Sequence, residues 1–134
     1  MQWRIESGDY TGAVNARKQL AVHLVQRAEP KSDHFAALLI FGELVANALT
    51  HGRGLVEACV GPGSRCAILW VEDAGEGFVL ERVPKPVSGK LCGRGIYIVT
   101  RLAPSVHVGR VEGDRFRVTA ELPVRLTDCS GDAA

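Results

Sequence analysis

Charge of one sign is nearly missing from this chain of 134 residues: Lys and Arg number 16, Asp and Glu 15, and the formal net charge is +1. No five consecutive residues carry like charge. Direct nucleic-acid binding, which ordinarily needs a basic stripe or excess, loses ground on that account. Long apolar runs are missing too. The longest, residues 35–45, contains Gly42 and Glu43, and none approaches the ~18 residues of a membrane span. The opening Met1-Gln2-Trp3-Arg4-Ile5-Glu6 is broken by charge before a secretory apolar region can form. These absences predict a soluble, cytoplasmic protein without membrane attachment.

Cysteine is sparse and scattered. Cys59, Cys66, Cys92 and Cys129 form no C-x-x-C and have no histidine at zinc spacing. Cys59 and Cys66 read as small apolar fillers on strands. Cys92 stands beside a glycine loop, where a thiol could be exposed, although packing explains it as well. No repeat, linker or low-complexity block interrupts the chain. With 46% apolar and 23% charged residues it reads as one domain over residues 1–125. Residues 126–134 read as a small, polar, flexible tail.

What is present is periodicity that changes along the chain. Trp3-Arg4-Ile5 suits a short strand. Over residues 11–28 apolar side chains recur at helical spacing, and Glu29-Pro30 ends that helix. Ser32 or Asp33 can cap a second helix that runs to His51. Residues 55–60 and 66–71 read as strands of a hairpin turned by Gly61-Pro62-Gly63-Ser64. A Gly- and Pro-rich loop over residues 72–92 is too long for a plain connector. A short helix over 94–102 is stopped by Pro104, and strands 106–111 and 115–122 form a second hairpin. The order predicts an α+β fold of two layers, a mixed, mostly antiparallel sheet with helices on one face. The long loop then lies at one mouth of the sandwich.

The second helix carries the first chemical signal. Between Ala36 and Leu49 its only polar side chains are Glu43 and Asn47, and with His51 they stand four apart along one face. A buried lone carboxylate is costly unless paired or metal-bound, whereas a solvated stripe would need no ligand. His51-Gly52 reads as a helix end, with a left-handed glycine and a cation at the negative end of the dipole. Asp73-Ala74-Gly75-Glu76-Gly77-Phe78 follows a buried-looking strand. An aspartate there can accept from an exocyclic amine such as that of adenine, and Gly75 and Gly77 let backbone approach a flat ligand. A plain turn would explain that motif alone. Gly89-Lys90-Leu91-Cys92-Gly93-Arg94-Gly95 opens the short helix, where amides and nearby Lys90 and Arg94 suit phosphate. It is neither a P-loop nor a dinucleotide fingerprint.

Taken in order, E-x-x-x-N on a helix, D-x-G-x-G-F after a strand and G-R-G-I before a helix resemble the GHKL, or histidine-kinase-like, ATPase superfamily. They match its N box and two glycine boxes, and the resemblance covers residues 35–122. Glu-Leu-Val-Ala-Asn-Ala-Leu-Thr-His-Gly (43–52) is most similar to the small serine protein kinases that act as bacterial anti-sigma factors. The resemblance implies a GHKL ATP-binding fold with a lid loop, ATP and magnesium as ligands, and magnesium held by Asn47. It further implies adenine recognition by Asp73 beside Gly75 and Gly77. Phosphate contacts would come from Lys90, Gly93, Arg94 and Gly95, and Glu43 would be the general base toward a serine hydroxyl. Implied partners are a sigma factor and an antagonist protein phosphorylated on serine, with homodimerisation through the first helix and nearby sheet edge.

Two departures bear on rate and partner surface: Tyr97 stands where many relatives have glycine, and Ala103-Pro104-Ser105 where an acid is frequent. Two other functions fit the same boxes: a binding module gated by ATP but without catalysis, and the ATP-binding domain of a sensor histidine kinase. No dimerisation helix with a phosphoacceptor His precedes the N box, and the lid is short, which speaks against the latter. A carboxylate at position 43 favours the kinase over the module.

Overall fold

The computed structural model describes residues 1–82 and 95–127. Five strands, β1 (Gln2–Ile5), β2 (Val56–Gly61), β3 (Ile68–Asp73), β4 (Val106–Val111) and β5 (Arg115–Glu121), form one sheet in the order β1-β2-β3-β5-β4. Every pairing is antiparallel, which narrows the expected mixed sheet to a purely antiparallel one. The helices are α1 (Tyr10–Arg27), α2 (His34–His51) and α3 (Gly95–Leu102). Both long helices are capped by aspartate. Asp9 accepts from Gly12 N and Asp33 from Ala36 N, which satisfies amides that the helix itself leaves open.

Alternation decides which sheet face is covered. Val56, Ala58 and Val60 of β2, Leu69 and Val71 of β3, and Phe116, Val118 and Ala120 of β5 are buried and belong to the core shared with α1 and α2. α2 has the length and apolarity of a spanning helix, 18 residues at mean hydropathy 1.2. In this fold its residues Ile40, Phe41, Leu44, Val45 and Ala48 are core. The opposite sheet face is an ion-pair lattice, where Glu72 is gripped by Arg115 at 3.3 Å and by Arg117. The Arg117 guanidinium also lies 4.5 Å over the Trp70 ring.

The packed chain extends past the boundary expected at Arg125. Leu126 bridges to Ala28, and Thr127 donates through both N and Oγ1 to the Arg27 carbonyl. Leu126 packs on the core, an apolar anchor within a segment read as small and polar.

Candidate functional site

Strand alternation aims a carboxylate into the core. Leu69 and Val71 face the helices, and Asp73, two residues on, takes the same direction, with only 7% of its surface accessible. It meets the end of α2. Its Oδ1 accepts from Gly75 N at 2.6 Å and from Arg53 N at 3.4 Å, while Ala74 N donates to the Arg53 carbonyl at 2.8 Å. Among the described residues nothing donates to Oδ2. A buried carboxylate with an unused oxygen is expensive unless something else supplies a donor.

Gly52 corrects one expectation. Its φ is −85°, so it is extended and not the left-handed glycine read at this helix end. The capping bond from Gly52 N to Ala48 O does form, and glycine is needed for room. A Cβ there would overlap the Asp73 carboxylate and come within 2.5 Å of the Ala48 carbonyl. The left-handed residue is Gly54, at φ +71°. Room at the other two glycines is also taken by protein groups. A Cβ on Gly75 would lie 2.8 Å from Asp73 Oδ1 and 3.0 Å from Gly52 Cα, and one on Gly77 would overlap the Phe116 ring. Gly77 has φ +78° besides, a conformation that glycine alone adopts without strain.

Asn47 and His51 line a crevice of about 30 Å3 with Asp73, Gly77, Phe78 and Phe116. The half-buried Asn47 amide makes no hydrogen bond to any described residue. Glu43, one turn back, does not line this crevice. It is half-buried and sits against the start of α3, where a Cβ on Gly95 would fall 2.6 Å from its Oε1. The stripe 43-47-51 is therefore divided, Glu43 toward α3 and the other two toward Asp73. Lys90, Gly93 and Arg94, expected to meet phosphate, lie outside the described residues, as does Cys92.

Arg110 escaped the reading of the sequence. Asp73 pairs in register with Phe116, and Phe116 with Arg110, so the three form one row across the sheet end. The guanidinium donates to the carbonyls of Gly75 at 2.7 Å and Glu76 at 2.5 Å, and stands 5.8 Å over the Phe116 ring. It fastens the loop that follows Asp73. A signal existed: Val106-Val108-Arg110 is an inward apolar alternation that ends on a charge, as Leu69-Val71-Asp73 does.

Residues 8–121 match the family model described as the histidine kinase-like ATPase domain. Among solved structures, the histidine kinase AdeS of Acinetobacter baumannii superposes with a TM-score of 0.53 at 15% identity, over 92% of this chain and 67% of that one. At that identity the likeness carries the fold alone. Comparison with curated proteins gave no match.

Proposed function

The chain belongs to the histidine kinase-like ATPase family, and on that premise we propose that it is a cytoplasmic protein serine kinase of the anti-sigma factor type. It would bind a sigma factor and phosphorylate an antagonist protein on serine, using magnesium-ATP. Support for the nucleotide site rests above all on Asp73, a carboxylate 7% exposed whose Oδ2 has no donor among the described residues. The adenine amine is a donor of the required kind. The unengaged Asn47 amide, 26 positions earlier and on the same crevice, suits a magnesium ligand. Magnesium-ATP, when bound, would supply the phosphoryl group; Gly75 and Gly77 would shape the loop next to Asp73 for the base, and Lys90, Gly93, Arg94 and Gly95 would hold phosphate. Glu43 accepts the proton of the attacking serine hydroxyl.

The crevice is far smaller than the ~300 Å3 or more of ordinary ligand pockets. Phe78, half-buried, lines its wall with its ring centroid 5.2 Å from that of Phe116. A second copy is the proposed partner for α1, which exposes Val14, Val22 and Val25, the last to 75%. A monomeric mass in light scattering at high micromolar concentration would count against that dimer.

One observation favours a second reading, the binding module. The Glu43 carboxylate touches the start of α3 and could serve only to seat that helix. Glu43→Gln decides between them. A general base predicts a loss of about 10²–10⁴ in single-turnover transfer to serine with ATP affinity little changed. Equal loss of both, or a wild-type protein that phosphorylates no antagonist, would favour the module.

A further inference from the structure

The sheet end remote from Asp73 holds a cavity of about 580 Å3, within the range of small-molecule sites. Four separate stretches of chain wall it: Met1, the second half of α1, the β2–β3 turn and residues 125–127. Backbone bonds fix these walls to one another. Val60 N donates to Met1 O at 2.9 Å, Ala67 N to Val124 O at 2.9 Å, and Thr127 N to Arg27 O.

The lining has a pronounced charge bias. His23 and Arg27, one helical turn apart, line the cavity with Arg65 from the turn and Arg125 from the final segment, and among the described residues no Asp or Glu lines it. The chain as a whole is nearly balanced, 16 basic against 15 acidic residues. Two of the arginines have outside partners, Arg65 with Glu121 at 3.3 Å and Arg125 with Glu29 at 3.6 Å. Both side chains are well exposed, 77% and 68%, and such surface pairs are weak enough to exchange. Arg27 makes no ion pair among the described residues. Val60, Pro62 and Leu126 supply an apolar wall behind the cations.

We propose that this cavity binds a small organic anion bearing a phosphate or diphosphate group on an apolar body, at a site separate from the nucleotide crevice. Arginine forks match phosphate oxygens, and the apolar wall takes the carbon part. His23 agrees with this assignment. Its pKa is lowered first by burial and further by the N-terminal ammonium and Arg27, two cationic groups on the same side of the molecule as the cavity.

The test is a titration of the isotope-labelled protein with inorganic pyrophosphate and with 1-naphthyl phosphate, EDTA present, followed by amide NMR shifts. Shifts should cluster at residues 23–27, 61–66 and 125–127. The neutral 1-naphthol should give none, and binding should weaken as salt is raised. Arg27→Glu should weaken 1-naphthyl phosphate at least about tenfold, the loss of one charge-assisted bond, and the more exposed Arg65→Ala somewhat less. Asp73→Asn should leave it unchanged, which keeps this site's fate apart from that of the nucleotide site. Shifts confined to the surroundings of Asn47 and Asp73, or unchanged affinity in both arginine variants, would overturn the proposal.

Discussion

The two ends of β3 are opposites. At Asp73 the polar groups are packed against each other, with glycines at 52, 75 and 77 clearing room for a carboxylate and a phenyl ring. At Ile68 and the turn before it the walls stand apart around about 580 Å3, and cations face open space. One end is acidic and crowded, the other basic and roomy. A strand of six residues spans roughly 20 Å, so a crowded crevice and a roomy cavity can share one sheet without touching.

Adding a methyl group at each end breaks the comparison most severely. Gly52→Ala drives a Cβ into the Asp73 carboxylate and the Ala48 carbonyl, and should cost about 1–3 kcal/mol of stability. Gly61→Ala, at the roomy end, meets nothing within 4 Å and should be neutral or slightly stabilising. Urea denaturation of the two variants measures the contrast. Equal effects would mean that crowding around Asp73 is relieved by small backbone shifts.

Asp73→Asn sharpens the chemistry at the crowded end. The amide oxygen can keep the bonds from Gly75 N and Arg53 N, and the amide nitrogen then replaces Oδ2. A donor there opposes the adenine amine and suits the guanine oxygen. ATP affinity should fall by about 1–3 kcal/mol, one to two decades, and the preference for ATP over GTP should shrink or invert. Competition binding measures both, and unchanged selectivity would make Asp73 a turn residue only.

Much of this end could be read from sequence because it is local. The alternations of β2, β3 and β5 and the stripe through Glu43 and Asn47 lie within a few residues of their causes, as does, at the far end of α2, the cap read as Ser32 or Asp33 and found at Asp33. What escaped spans the chain. Gly52 is glycine because of Asp73, Arg110 serves carbonyls 34 and 35 positions away, and the cavity cations come from α1, a turn and the final segment. Register across strands creates such contacts, and no local period carries them. Leu126 was missed for the same reason, since its partner is Ala28.

Arg110→Ala has a smaller expected effect. Two charge-assisted bonds to the Gly75 and Glu76 carbonyls would be lost, though one lies at an exposed position. ATP affinity should weaken by about 1–2 kcal/mol, and amide exchange at residues 75–77 should accelerate. Pyrophosphate binding at the far end should be untouched. Arg110→Lys, which reaches the loop but lacks the fork, should recover part of the affinity. Full affinity with unchanged exchange would make Arg110 a surface cation.

The smallest effect is a proton. His23 has its pKa lowered from 6.5 by burial first, then by the N-terminal ammonium and Arg27, and Arg65 and Arg125 line the same cavity, with no acid in its lining among the described residues. Between that lowered value and 6.5 the unfolded chain binds the proton more readily than the folded one. The stability that His23 contributes is therefore complete above 6.5 and is lost as pH falls through the lowered value. A bound diphosphate supplies the missing negative charge, so pyrophosphate should raise the His23 pKa and narrow that window. Imidazole proton shifts followed by NMR, with and without pyrophosphate, read His23 directly. Arg27→Glu should raise the His23 pKa before any anion is added, because it turns a neighbouring cation into an anion. If neither pyrophosphate nor Arg27→Glu moved His23, burial alone would set its pKa, and the contrast in charge between the two ends of β3 would lose its meaning for ligand binding.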